Sequence, residues 1–219
     1  MVEIPKSFYL VSNETPFPPV NLSLKEPNGL IAVGGELSPE RLIDAYSKGI
    51  FPWYSDGDPI LWYSPEPRMV ITPNSLHVAN SLIKIIRSNK FEIRYDCNFE
   101  AVINECKNIK RINQKGTWID SNMVDAYTEL HNKGFAHSVE TYENGKLVGG
   151  LYGVAIGKVF FGESMFSITS NASKVALVYL LQELDYQLID CQIESPHLKS
   201  FGAYNVSRHS FTLLLKELL

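Results

Sequence analysis

The chain has 219 residues, 45% of them hydrophobic and 20% charged, with a net charge of −4, which is ordinary globular material with enough apolar content for a sizeable core. Its apolar runs are too short and too often broken by Gly, Lys or Glu to span a membrane. The N-terminal MVEIPKSFYLVSNETPFPP has an early acid and no apolar signal core, so a soluble, cytoplasmic protein is expected. Three cysteines without CxxC spacing argue against a disulfide framework or a zinc site.

Residues 1–66 are rich in proline and aromatic side chains and carry one clear helical signal, GELSPERLIDAYSKGIFPW. Ser38 caps it, Pro39 fits the first turn, Leu42, Ile43, Ala45 and Tyr46 form the apolar face, and Gly49 stops it. The following FPWYSDGDPILWYSPEPR reads as a rigid loop layer of rings. A small N-terminal domain is expected over 1–66 and a second domain over 67–219.

The second part alternates. A strand is predicted over Met69–Thr72, a helix over Ser75–Arg87, a strand over Phe91–Tyr95, and a helix from the Asn98 cap to Ile109. Asp120 or Ser121 opens another helix through His131. Ala136–Tyr142, Lys146–Ala155 and Lys158–Met165 then form an antiparallel meander with turns at Asn144-Gly145 and Ile156-Gly157. A helix over Asn171–Leu184, a strand over Gln187–Cys191, a short helix over Ser195–Phe201 and a closing helix over Ser210–Leu219 complete the chain. The predicted class is α+β, a mixed sheet flanked by helices, in an order similar to the acetyltransferase-like GNAT architecture.

Charge is unevenly placed. From Lys84 to Lys115, eight basic residues face four acids, so this segment is +4 and the remainder −8. Lys84, Arg87, Lys107, Lys110, Arg111 and Lys115 are candidates for a phosphate-binding strip; a solvated helical face is the other reading and the one that the sequence alone favours. The chain has no phosphate loop, GxGxxG, HExxH or GxSxG, and its five histidines have no ligand spacing. A GNAT enzyme would cradle the pyrophosphate of acetyl-CoA on a glycine-rich loop before a helix. Here that position reads MFSITSNASKVAL, with no glycine, so acetyl-CoA is not expected.

One apolar stretch, VFFGESMFS, carries Glu163 in its middle, and a carboxylate there requires a partner. Two sources are open: an internal cation such as Lys174, or a cationic substrate. Asp190 is flanked by Ile189 and Cys191, and it alternates with Cys191 on a strand so that it faces the same side as Gln192. It reads either as a structural cap or as part of the chemistry.

The segments EPNGLIAVGGELSPERLIDAYSKGIFPWYSDGDPILWYSPEPR, GTWID, GFAHSVE, LVGGLYGVAIGKVFFGESMFS, NASKVAL and LIDCQ stand in the order found in the leucyl/phenylalanyl-tRNA–protein transferase family, which the chain resembles from Glu26 to His209. The resemblance implies transfer of Leu or Phe, and less well Met, from aminoacyl-tRNA to the N-terminal Arg or Lys of a protein, marking it for degradation by the N-end rule. It implies a small N-terminal domain beside a GNAT-like one, with neither metal nor organic cofactor, and a chain expected to act as a monomer away from membranes. By the same resemblance, Trp53, Trp118, Leu151, Phe160, Glu163, Leu180 and Ile189 form the aminoacyl pocket, and Asp190 with Gln192 assists the chemistry. Leu151 stands where Met is expected, and Leu180 where an aromatic can occur. The rival readings are a GNAT acetyltransferase and a non-catalytic module that binds RNA 3′ ends.

Overall fold

The computed structural model describes residues 9–55, 57–109 and 119–219. The N-terminal segment is more ordered than a layer of loops. Strands β1 (Tyr9–Leu10), β2 (Leu30–Val33), β3 (Phe51–Pro52) and β4 (Leu61–Tyr63) form a sheet in the order β1-β2-β4-β3, with helix α1 (Pro39–Ser47) inserted between β2 and β3. These strands are too short to show an alternating pattern, and β2 and β4 are buried along their whole length. The α1 signals act as read: the Ser38 side chain accepts from Arg41 N, and Leu42, Ala45 and Tyr46 are buried.

A larger sheet follows. Its strands are β5 (Arg68–Ile71), β6 (Glu92–Tyr95), β7 (Ala136–Glu143), β8 (Lys146–Ile156), β9 (Val159–Ser167), β10 (Leu188–Gln192) and β11 (Tyr204–Val206), in the order β11-β5-β10-β9-β8-β7-β6. The helices are α2 (Asn80–Arg87), α3 (Phe99–Asn108), α4 (Ser121–Asn132), α5 (Ala172–Glu183), α6 (Pro196–Lys199) and α7 (Arg208–Leu218). Asn98 and Asp120 cap α3 and α4 as expected. The expected helix from Ser75 begins only at Asn80, because Thr72 and Ser75 close a capping box around a separate turn at Pro73–Ser75. The three-residue β11, on the sheet edge beside β5, has no sequence signal strong enough to be read.

Strand alternation divides the interior in two. Tyr152 and Val154 of β8 and Phe161 of β9 pack with α3, α4, α7 and the small sheet. Leu151 of β8, Phe160 of β9, and Ile189 and Cys191 of β10 pack with α2 and α5 on the opposite face.

All neighbours in the large sheet are antiparallel except β9 and β10. That parallel pair is short: Leu188 with Val159, Ile189 with Phe160, Asp190 with Phe161. Beyond it β9 continues along β8, while β10 bulges between Asp190 and Gln192 against β5. The two strands part, and the gap between them joins the two faces of the sheet.

Gly153 sets how closely β8 approaches β9 near this gap. A Cβ there would lie 2.2 Å from Phe161 O and 2.6 Å from the Phe160 ring. Gly153→Ala should therefore cost about 1–3 kcal/mol, the scale of overpacking a filled core. Urea unfolding measures it, and a loss under roughly 0.5 kcal/mol, the range of surface substitutions, would show that the approach is not tight.

Candidate active site

A pocket of about 430 Å³ occupies the gap between β9 and β10. Leu151, Phe160, Leu180 and Ile189 line it, together with Met165 and Leu177, which sequence reasoning did not single out. They form an apolar compartment on the α5 face. Trp53 stands at the mouth, 40% exposed, its ring edge-on to Tyr63 at 5.6 Å. Trp118, expected as another wall, lies outside the described residues, as do Lys110, Arg111 and Lys115.

The polar end of the pocket is built around Glu163. Its Oε1 accepts from Tyr46 OH at 2.7 Å and its Oε2 from Tyr127 OH at 3.2 Å; the two phenols also bond to each other. Gln192 Nε2 reaches Oε1 at 3.4 Å and donates more closely, at 2.7 Å, to Gly162 O. The partners that the stretch required are therefore two phenols, not Lys174. Lys174 makes itself felt at His197, where burial and then the lysine charge lower the imidazole pKa. Burial pushes the Glu163 carboxyl up to about 7, while the bonds from Tyr46 and Tyr127 pull the other way. The same burial, with the carboxylate close by, raises both phenols.

Asp190 is fully buried and committed. Arg68 Nε donates to its Oδ1 at 2.7 Å, and the second Arg68 nitrogen to Oδ2 at 2.6 Å. The remaining Arg68 nitrogen donates to Gly49 O at 3.1 Å, and the guanidinium lies between the rings of Phe51 and Phe211, 4.8 and 4.7 Å from their centres. Oδ1 also accepts from Gln192 N at 3.0 Å. That bond holds Gln192 at a φ of 56°, so Asp190 and Gln192 are not related by plain strand alternation. The bulge turns the Gln192 side chain across the gap to Gly162. Cys191, between them, is buried, and burial raises its thiol pKa, which leaves it inert. In this geometry Asp190 holds Arg68 and the Gln192 backbone, and Glu163 is a pocket carboxylate with no salt bridge among the described residues, although the charge of Arg68 reaches it.

The basic candidates among the described residues, Lys84, Arg87 and Lys107, do not share one face. Lys84 and Arg87 are exposed on α2, which packs on the α5 face, whereas Lys107 belongs to α3 on the opposite face.

Two family models match the chain: "Leucyl/phenylalanyl-tRNA protein transferase" over residues 70–216 and its "N-terminal domain" over residues 35–66. The chain is similar to leucyl/phenylalanyl-tRNA–protein transferases of Nitrosospira multiformis (55% identity, covering 95% of this chain and 91% of that one) and Hydrogenovibrio crunogenus (54%, covering 98% and 85%). It is also similar to that of Nitrosomonas eutropha (56%, covering 94% and 89%). Among solved structures, a GCN5-related N-acetyltransferase from Kribbella flavida aligns over 80% of this chain and 63% of its own, at 10% identity and a TM-score of 0.41, a level that carries no argument.

Removing one partner of a buried ion pair strands the other charge. Asp190→Asn should lower stability by about 3–5 kcal/mol in denaturant unfolding. An Asn variant that unfolds with the wild type would mean that Arg68 finds another counter-charge and that Asp190 does not hold the gap.

Proposed function

We infer the reaction from one premise: the chain belongs to the leucyl/phenylalanyl-tRNA–protein transferase family and is an aminoacyltransferase. Its donor is an aminoacyl-tRNA and its acceptor a protein. The finer reading is that Leu or Phe, and less well Met, passes to an N-terminal Arg or Lys, a mark for degradation by the N-end rule.

The observation that carries this reading is the pairing of an apolar compartment with a carboxylate that has phenol donors and no salt bridge among the described residues, across the gap between β9 and β10. The amino-acid side chain fills the space among Leu151, Phe160, Leu180 and Ile189, where burial supplies the binding energy. Its ester carbonyl then lies at the gap, near Gln192. The acceptor's α-ammonium approaches from the Glu163 side and gives a proton to the carboxylate, whose pKa near 7 suits the exchange. The freed amine nitrogen attacks the ester carbon, a C–N bond forms, and the tetrahedral oxyanion collapses with cleavage of the C–O bond. The ribose oxygen leaves as the hydroxyl, taking up the proton that the attacking nitrogen sheds as the amide forms. The ester is already activated, so alignment by Gln192 provides much of the acceleration. Asp190 contributes by fixing the Gln192 backbone, itself held by Arg68. Lys84 and Arg87, exposed on the pocket's α5 side, offer charge to the tRNA backbone.

Glu163→Gln tests the polar end. The variant should lose about 10²-fold in kcat/KM for an Arg-initiated peptide, the scale of acid–base assistance, together with the acid limb near pH 7 in the wild-type profile. Stability should move the other way. The folded-state pKa is raised, so the proton held by the folded chain favours folding below the unfolded value of about 4.5, and this contribution is lost as pH rises through 7. Thermal melting should thus rank Glu163→Gln level with the wild type in acid and above it at pH 8. A variant with an unaltered pH–rate profile removes Glu163 from the acceptor site.

Donor selection tests the apolar end and the reaction itself. Leu and Phe are slim at Cβ, whereas Ile and Val widen there. In a side-by-side assay with charged tRNAs and an Arg-initiated peptide, Leu and Phe should exceed Ile and Val by roughly 10- to 200-fold. Equal use of Ile defeats the slot model. Binding of leucyl-tRNA with no transfer at all would leave only the RNA-binding reading.

A further inference from the structure

The polar end of the pocket has more hydrogen-bond contacts than hydrogens to fill them. Tyr46 on α1 and Tyr127 on α4 are both fully buried. Three contacts join them to Glu163: Tyr46 OH with Oε1 at 2.7 Å, Tyr127 OH with Oε2 at 3.2 Å, and one hydroxyl with the other. Each phenol has a single hydrogen to give, and an ionised carboxylate has none. Two hydrogens then face three contacts. A hydrogen placed between the phenols is lost to one carboxylate oxygen. If both phenols donate to the carboxylate instead, their own oxygens meet lone pair to lone pair. Protonation of Glu163 supplies the missing hydrogen. With the proton on Oε2, Glu163 donates to Tyr127, Tyr127 to Tyr46, and Tyr46 to Oε1. With the proton on Oε1, the same ring runs in the opposite sense.

Taken singly, a phenol favours the carboxylate. As a touching pair the phenols favour the acid, because only the acid fills every contact, and bonds in a closed chain polarise one another. The other groups that face the ring do not set this preference. Asp190 on β10 and Arg68 on β5 act on Glu163 in opposite directions and are bound to each other, Gln192 brings a neutral amide to Oε1 at 3.4 Å, and on β8 the buried Tyr152 stands edge-on to Tyr127. We propose that Tyr46 and Tyr127 are positioning residues that ready Glu163 to accept a proton: the three side chains close a ring of hydrogen bonds that is complete only when the proton of the acceptor's ammonium has arrived. The role rests on the transferase reading above. In that step an N–H bond of the ammonium breaks as an O–H bond forms on either carboxyl oxygen, and the amine is freed to attack; after transfer the carboxyl gives the proton to water. An α-amino group loses its proton in water at about pH 7.7–8.0, close enough to the Glu163 value of about 7 for the exchange to run both ways.

The test is the acid limb of the pH–rate profile in Tyr127→Phe and Tyr46→Phe, read with leucyl-tRNA and an Arg-initiated peptide. Either variant opens the ring and leaves one phenol free to donate to the carboxylate. The limb, near pH 7 in the wild type, should therefore move down by about half to one pH unit, the scale of one neutral hydrogen bond. Two phenols acting as independent donors would move it up instead, and a purely structural part would lower the rate and leave the limb in place. Either of those results, in a variant that melts with the wild type, overturns the ring. A carbon-13 NMR titration of the glutamate side-chain carboxyls reads the same shift without turnover, the Glu163 signal being the one lost in Glu163→Gln. If the wild type transfers nothing from leucyl-tRNA, the transferase reading falls and the ring's part in it, whereas the titration still upholds or overturns the ring itself.

Discussion

The candidate site depends on a buried ion pair between residues far apart in sequence. Arg68 and Asp190 meet in a double hydrogen bond with both side chains almost fully enclosed, at 1% and 0% exposure. Taking both charges out of water is expensive, and the cost is offset only because each remaining group also finds a partner: Gly49 O and the Phe51 and Phe211 rings for the guanidinium, Gln192 N for the carboxylate. The pair joins the corner after α1, the first strand of the large sheet, the closing helix and the strand that carries Gln192. It is poor value as stabilisation, since apolar side chains of similar volume can do as well. What it provides is direction: the guanidinium fork fixes the carboxylate, and the carboxylate fixes a left-handed residue at the gap.

The same gap explains why the small sheet and the large one serve one site. Tyr46 comes from α1 and bonds to Glu163 on β9, and Trp53 follows β3 and stands at the mouth. Without α1, Glu163 would lose its closer phenol, and one oxygen of a half-buried carboxylate would lose a donor. The N-terminal segment therefore supplies a donor to the pocket carboxylate as well as a wall.

Much of this was legible. Helix caps at Ser38, Asn98 and Asp120, the Asn144-Gly145 turn and the meander announce themselves through local chemistry. The pocket walls Leu151, Phe160, Leu180 and Ile189 came from the family resemblance, and the structure brings them together. What escaped depends on distant contacts. Tyr46 has the spacing of a core residue on α1, and nothing local says that its hydroxyl meets a carboxylate 117 positions later. Arg68 stands at the end of SPEPR, before an apolar strand; a buried Asp190 demands a cation, but the sequence does not say which one. The bulge at Asp190 breaks the alternation that placed Gln192 on the same face, and among the described residues Lys84 and Arg87 part from Lys107 because α2 and α3 pack on opposite faces of the sheet.

The span of these contacts also sets an order of assembly. The β7–β8–β9 meander joins neighbours through short turns and can form early, whereas Tyr46 with Glu163, and Arg68 with Asp190, close loops of more than a hundred residues. During synthesis, Arg68 leaves the ribosome long before its counter-charge and stays hydrated until β10 docks in parallel beside β9. Docking of β10 and arrival of the Gln192 clasp are then one event. A partly folded chain has no competent site, and catalytic ability is acquired in a single late step.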